Sequence, residues 1–240
     1  MNRRTIVLTG IAVIFLLGTA SAQPPDLTSE GKVGMIRVGN SPQMRESRIA
    51  IAWGDRMKPP VRYPLSIVNL KDAMLKWTKI PTEVMSHIRL GSPDVHKLPI
   101  LIVSTEDAFD LNGSEVRNLR EYIEKGGFIF ADGGSPSLRQ MVADIAGERE
   151  IVPVPSDHPV FQKPFLFGGP LVGNRNRLPV SESGRYPLSD EAAGLRGVFI
   201  DGRLAILYTD FYYYSHWNND ANDTYLKFGV NLIMYAIGGS

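Results

Sequence analysis

The residues from Leu98 to Gly147 alternate twice between a short apolar run and an amphipathic segment, and no other feature restricts the fold as much. The run Pro99–Ser104 is continuously apolar up to its last residue, which is typical of a strand buried on both faces. Phe128–Ala131 is a second run of this kind. Buried strands joined by helices form parallel sheets covered on both faces, so the pattern predicts an α/β domain.

The helices between these strands have recognisable ends. Asn112 and Glu115 have the spacing of a capping box, which predicts that a helix begins there. Ser135 followed by Pro136 predicts a second helix start, and Gly147 its end.

Further elements are predicted on both sides of this block. Asp201-Gly202 lies between two apolar runs and predicts a β-hairpin. Periodicity and apolar runs predict a strand at Arg48–Trp53, a helix across Ile67–Trp77, a strand at Glu83–Ile88 and a last helix from Asp223. The expected fold is therefore a three-layer α/β sandwich with a mostly parallel sheet, a C-terminal hairpin and a final helix.

The amino terminus has the pattern of a cleavable signal peptide. Met1–Arg4 is positive, Thr5–Leu17 is apolar and uncharged, and Ala20 and Ala22 precede Gln23 at a cleavage site for signal peptidase. The apolar run is short for a membrane span, although an uncleaved anchor is the alternative. We therefore expect cleavage after Ala22 and a periplasmic or secreted mature protein without a membrane span.

The remaining chain is interpreted as one domain. Residues 23–47 are predicted to be a flexible lead-in with a short edge strand at Met35–Val38, and residues 48–240 a single α/β domain. A segment at about 161–196, rich in Gly, Pro and Arg, is predicted to be a long surface excursion. Without residues 1–22 the chain has 24 basic and 25 acidic residues, which argues against a nucleic-acid partner.

The chain has no cysteine. Disulfides, a thiol nucleophile and thiolate metal sites are therefore excluded, and the domain is stabilised by its core alone.

Several segments together resemble an uncharacterised bacterial family, domain of unknown function 4159. They are the block Leu98–Gly134, the segment Asp157–Phe161 and the segment Gly229–Ala236, and the resemblance extends from about Met35 to Gly238. The resemblance implies the flavodoxin-like architecture of class I glutamine amidotransferases, and it implies no established activity. The family's usual Asp-Asp-Phe-His-Gly is Ala131–Ser135 here, without the first Asp and the His.

Acidic residues follow the predicted strands. Open parallel sheets bind ligands beyond the carboxyl ends of their strands, where Asp55, Asp107, Asp132 and Asp210 are expected. Gathered carboxylates raise each other's pKa or hold a hard cation, whereas single ones commonly cap helices and fill turns. The strand before Asp210 could also be antiparallel, which would remove this residue from the cluster.

Asp132 is the sharpest candidate for chemistry. It follows a strand at the turn where this fold class places its nucleophile, and it could act as a general base or a nucleophile. Gly133 and Gly134 expose backbone N–H groups suited to an anion, and Ser135 is a nucleophile or, more commonly, an N-cap. Amidotransfer through a cysteine is excluded because no cysteine is present.

Two further segments carry candidate residues. His158 is a candidate general base, and the alternative is a turn closed by Pro159. His216 and Trp217 lie in an aromatic segment, Asp210–Asp220, that either stacks on a sugar ring or packs in the interior.

These observations favour binding over catalysis. The preferred hypothesis is a non-catalytic module of the cell envelope that binds an unidentified ligand or protein partner. The alternative is an envelope hydrolase in which Asp132 and His158 act on a glycan or peptide-like substrate. A domain that only scaffolds an envelope complex is a third hypothesis. No cofactor and no metal is predicted.

Overall fold

A computed structural model describes residues 47–57, 63–167 and 195–238 of the chain. All of these residues belong to one compact unit. The predicted signal peptide at residues 1–22, almost all of the lead-in with its edge strand at Met35–Val38, and most of the excursion at about 161–196 lie outside the described residues.

Seven strands and five α-helices occur in the described residues. In chain order they are β1 (Arg48–Trp53), α1 (Ser66–Thr78), β2 (Glu83–Arg89), β3 (Ile100–Ser104), α2 (Gly113–Glu124), β4 (Phe128–Asp132), α3 (Pro136–Ala146), β5 (Val152–Pro153), β6 (Arg196–Ile200), β7 (Arg203–Thr209), α4 (Tyr213–Trp217) and α5 (Asp223–Gly238). Two short 3₁₀ helices are formed by Pro93–Lys97 and Pro159–Phe161.

The strands form one sheet in the order β2-β1-β3-β4-β7-β6-β5. The five strands from β2 to β7 in this order run parallel to one another. β6 is antiparallel to β7, and β5 is antiparallel to β6. The prediction of a mostly parallel α/β sheet with a C-terminal hairpin and a final helix is therefore confirmed.

Each face of the sheet carries its own apolar core. On one face, side chains of α1, α4 and α5 pack against Ile100, Ile102 and Phe130. On the other face, side chains of α2 and α3 pack against Leu101 and Val103. Every residue of β3 and β4 is buried, which explains why their sequences show no polar alternation.

The predicted helix starts and the hairpin turn are present. The Asn112 side chain accepts hydrogen bonds from the N–H groups of Ser114 and Glu115, and Glu115 completes the capping box. Asp201 and Gly202 have φ values of 51° and 80°, as the central residues of a type I′ turn require.

Candidate functional site at the carboxyl edge of the sheet

The parallel strands bring four turns to one edge of the sheet, called here the carboxyl edge. Asp55 lies in the turn after β1, Thr105–Asp107 in the turn after β3, and Gly133–Ser135 in the turn after β4. Asp210 follows β7, which is parallel to β4, so this residue lies at the same edge. The antiparallel alternative for the Asp210 strand is therefore wrong.

Asp132 is fully buried rather than exposed at this edge. It is the last residue of β4, paired in register with Ser104 of β3 and Thr209 of β7, and its side chain points to the face that carries α4. Its two carboxyl oxygens accept hydrogen bonds from the backbone N–H groups of Tyr213 at 3.1 Å and Tyr214 at 2.6 Å. The carboxyl group therefore holds the amino terminus of α4 against the sheet.

The environment of Asp132 favours its protonated form. Burial raises the pKa of its carboxyl group to about 7, and the charge of Asp210 acts in the same direction. The N–H groups of Tyr214 and Tyr213 oppose this shift, because they stabilise the charged form. A carboxyl group with this pKa can exchange protons near neutral pH, but here its side chain is not exposed to a substrate.

The residues after Asp132 also use their polar groups inside the protein. The N–H group of Gly133 donates to the Thr209 carbonyl oxygen at 2.9 Å. The Ser135 hydroxyl donates to the Asp107 carbonyl oxygen at 2.7 Å and accepts from the N–H group of Ser137. Gly133 and Ser135 therefore build the turn and cap α3, and the geometry does not favour an oxyanion site or a serine nucleophile.

Gly134 is engaged as well. Its backbone N–H group hydrogen-bonds the phenol oxygen of Tyr212, a residue whose pKa is raised to about 12, chiefly by burial. Tyr212 has a φ of 57°, which is uncommon for a residue with a side chain. Hydrogen bonds thus connect the end of β4 and the turn after it to the start of α4. Asp132 accepts from the first N–H groups of α4, and Gly134 donates to Tyr212.

The aromatic segment after Asp210 forms α4 and packs in the interior. Trp217 has no exposed surface, its ring lies 5.6 Å from that of Phe130, and its indole N–H group donates to the Tyr225 carbonyl oxygen at 2.8 Å. His216 is partly buried and stacks on the Tyr225 ring at 4.0 Å. Of the two alternatives for this segment, stacking on a sugar ring or packing in the interior, the structure therefore gives Trp217 the packing role.

His158 lies at the other end of the sheet from Asp132. Its ring packs against Phe199 and Tyr235, and the Tyr235 hydroxyl accepts a hydrogen bond from the N–H group of Leu204. Leu204 lies near the beginning of β7, whereas the pairing partner of Asp132 is Thr209 at its end. At ~3.3 Å per residue these positions are roughly 16 Å apart along the strand.

His158 also has a structural role of its own. Its Nδ1 atom accepts a hydrogen bond from the N–H group of Val160 at 3.2 Å and caps the 3₁₀ helix Pro159–Phe161. Burial lowers the pKa of His158, and the charge of Asp157 opposes this shift. Asp132 and His158 therefore do not form the acid–base pair that the hydrolase hypothesis requires.

Carboxylates exposed to solvent remain at the carboxyl edge. Asp107 and Glu106 follow β3, and both side chains are exposed. The hydroxyl group of Tyr63 donates to Glu106 at 3.5 Å. Asp55 is also exposed, and it lies 3.8 Å from the guanidinium group of Arg89.

Sequence reasoning missed a role of Glu115 at this edge. The side chain is fully buried, and its two carboxyl oxygens accept from the N–H groups of Asp55 at 2.7 Å and Asn112 at 2.8 Å. The capping box predicted the second contact. The first joins residues that are 60 positions apart, and no local signal points to it.

A second missed contact lies beside Asp210. The guanidinium group of Arg139 hydrogen-bonds the phenol of Tyr208, and this contact is the largest cause that raises the pKa of Arg139. Burial raises the pKa of Tyr208, whereas Arg139 lowers it. Asp210 adds a negative charge to both surroundings, so this part of the edge carries both signs of charge.

Among residues 47–57, 63–167 and 195–238, no three or more His, Asp or Glu side chains are arranged to hold a metal ion. None of the described helices is long and apolar enough to cross a membrane.

The strand order and the helices on both faces of the sheet define an α/β domain with a mostly parallel sheet. Residues 54–237 match the family described as Domain of unknown function (DUF4159). The chain belongs to this family, as the resemblance indicated. A comparison with curated proteins found no match.

Proposed function

We propose that this chain is an exported domain that binds a ligand or a protein partner of the cell envelope at its carboxyl edge, without catalysis. A flavodoxin-like arrangement is part of the proposal. Numbered in chain order, the five parallel strands have the order 2-1-3-4-5, which is the order of that fold. In such sheets ligands bind at the point where the strand order reverses, here between β1 and β3.

One observation carries the proposal. The polar groups suited to catalysis form hydrogen bonds inside the protein, whereas the carboxylates suited to binding are exposed to solvent. The Asp132 carboxyl group holds α4, and the Ser135 hydroxyl group caps α3. In contrast, the exposed carboxylates of Asp55 and Asp107 follow β1 and β3, the two strands that flank the point of reversal.

The chemistry of these groups favours a ligand with basic groups. The turns that flank the reversal point present Asp55, Glu106 and Asp107 to solvent. Ammonium and guanidinium groups form charge-assisted hydrogen bonds with carboxylates. A peptide or protein segment with lysine or arginine side chains fits these groups.

The test uses the mature domain labelled with ¹⁵N, a short lysine-containing peptide and a neutral chitooligosaccharide. We expect the peptide to shift the backbone amides of Asp55 and Thr105–Asp107, and the neutral sugar to leave them unchanged. The variant Asp55→Asn/Asp107→Asn should weaken peptide binding at least about tenfold. The control Glu148→Gln/Glu150→Gln removes two exposed carboxylates after α3 and should bind as the unaltered domain does.

Peptide-induced shifts confined to other surfaces would refute the assignment to this edge. Equal binding by the amide variant and the control would show that only the overall charge matters.

Export has its own measurement. We expect the protein recovered from the periplasm to begin at Gln23, because cleavage follows Ala22. A mass that corresponds to an intact start at Met1 in the membrane fraction would instead support an uncleaved anchor.

A further inference from the structure

An arginine of the protein itself lies against one of the exposed carboxylates of the carboxyl edge. Arg89 is the last residue of β2 and pairs in register with Trp53, the last residue of β1. Its guanidinium carbon lies 5.8 Å from the centroid of the Trp53 ring, within the range of a cation–π contact. The same guanidinium group donates to the Gly54 carbonyl oxygen at 3.4 Å and lies 3.8 Å from the Asp55 carboxylate.

The three groups around Arg89 suit a guanidinium group in particular. A guanidinium group is planar, stacks on aromatic rings and has five N–H donors for carbonyl and carboxylate oxygens. A lysine ammonium group has three donors and no planar face, so it matches this arrangement less well. The end of β1 therefore favours arginine over lysine.

The backbone of Asp55 is already held in place. The buried Glu115 side chain accepts a hydrogen bond from the Asp55 N–H group at 2.7 Å. Asn112 donates from its side-chain amide to the Asp55 carboxylate at 3.5 Å. A site that is ordered before binding loses less conformational entropy when a ligand arrives.

Arg89 itself is held only loosely. Its polar contacts of 3.4 Å and 3.8 Å are longer than the about 2.7–2.9 Å of a good charge-assisted hydrogen bond. Its side chain is 55% exposed, and exposed ion pairs contribute little to stability. A second guanidinium group can therefore replace that of Arg89 without changing the backbone pairing of β2 with β1.

We propose that the end of β1 is a guanidinium site that Arg89 occupies in the free protein, and that an arginine side chain of the ligand takes its place. This inference rests on the proposed function, because it names the cation that the carboxyl edge binds. It also makes Arg89 an internal competitor. Since Arg89 is tethered beside the site, the apparent affinity for the ligand falls by the fraction of time that Arg89 occupies it.

The first experiment needs no ligand. The Nε–Hε signal of Arg89 in the ¹⁵N-labelled domain reports the position of the side chain, because the Trp53 ring shifts the resonances of protons near its face. We expect Asp55→Asn to move this signal towards that of an unrestrained arginine. An Arg89 signal that Asp55→Asn leaves unchanged would overturn the occupied site, whatever the domain binds.

The second experiment compares two capped peptides, Gly-Arg-Gly and Gly-Lys-Gly, by titration of the same domain. Arg89→Gln should strengthen binding of the arginine peptide at least about fivefold, as expected if Arg89 occupies the site about 80% of the time. Binding of the lysine peptide should change less than about twofold. In the unaltered domain, the arginine peptide should move the Arg89 signal in the direction that Asp55→Asn does.

Lys97→Gln is the matched control. Lys97 is exposed, forms an ion pair with Asp94 at 2.7 Å and lies before the start of β3, at the opposite end of that strand from the carboxyl edge. This variant removes one positive charge, as Arg89→Gln does, and should bind both peptides as the unaltered domain does. It should also leave the Arg89 signal in place.

The outcomes separate this inference from the proposed function. If both peptides bind at the edge but Arg89→Gln leaves arginine binding unchanged, weakens it or strengthens both peptides equally, the internal competitor is overturned and the proposed function stands. If neither peptide binds the unaltered domain or Arg89→Gln, the proposed function fails as well. Arg89 is then only the partner of a surface ion pair.

Discussion

Replacing the buried carboxyl group at the end of β4 with an amide, in Asp132→Asn, tests the role that the structure gives to this residue. Burial raises its pKa from 3.8 to about 7 in the folded protein. A group whose pKa is raised by folding stabilises the protein fully below its unfolded pKa, here about 3.8, and this stabilisation is lost as the pH rises through about 7. A shift of ~3 pKa units corresponds to about 4 kcal/mol.

The amide variant has no such titration, but it loses a hydrogen bond. The N–H groups of Tyr213 and Tyr214 donate to the two carboxyl oxygens, and an amide offers only one oxygen. One buried N–H group without an acceptor costs about 1–3 kcal/mol. We therefore expect Asp132→Asn to be less stable than the unaltered protein by about this amount near pH 5. The difference should disappear or reverse near pH 8.

Urea denaturation at several pH values between about 5 and 8 measures the free energy of unfolding of both proteins. Asp220→Asn, which removes an exposed carboxylate, is the control and should leave the pH dependence unchanged. A difference between Asp132→Asn and the unaltered protein that stays constant with pH would refute the reasoning. A difference that grows with pH would show that the N–H groups outweigh burial and keep the carboxylate charged.

Three further substitutions test the internal contacts by urea denaturation. Gly133→Ala should lower the free energy of unfolding by about 3 kcal/mol or more, because an added Cβ would lie 2.1 Å from the Thr105 carbonyl oxygen. A decrease below about 1 kcal/mol would contradict this close approach. Trp217→Ala should cost about 3–5 kcal/mol without changing peptide binding at the carboxyl edge, and lost binding at unchanged stability would instead support a ligand contact. Asn112→Ala should cost about 1 kcal/mol through the lost cap, whereas Ser114→Ala should cost less.

The parts of the fold that the sequence predicts are those with local causes. The continuous burial of β3 is visible in Pro99–Ser104, and the capping box is visible in Asn112 and Glu115. The position of Asp132 at the end of a strand was predicted too. Its direction was not, because Asp132 belongs to the strand itself and shares the face of Phe130, two residues before it.

The contacts that the sequence could not predict join distant positions. No helix is predicted in the aromatic segment Asp210–Asp220, yet Tyr213–Trp217 forms one, because the Asp132 carboxyl group, 81 residues before Tyr213, binds its first N–H groups. His158 was paired with Asp132 because both residue types suit acid–base chemistry. Only the sheet shows that they lie at opposite ends of it.

The turn at Gly133 restricts which single substitutions the segment after β4 can accept. The family's usual motif has phenylalanine at this position, while here φ is 151° and a Cβ would meet the Thr105 backbone. Restoring Ala131→Asp and Gly134→His alone would therefore not rebuild the family's constellation, because the loop between them follows a backbone path that phenylalanine cannot adopt. A lineage with this glycine would have to move the Thr105 segment before it could recover those side chains in their usual geometry. The turn at Thr105 thus prevents this segment from returning to the family's motif by side-chain substitutions alone.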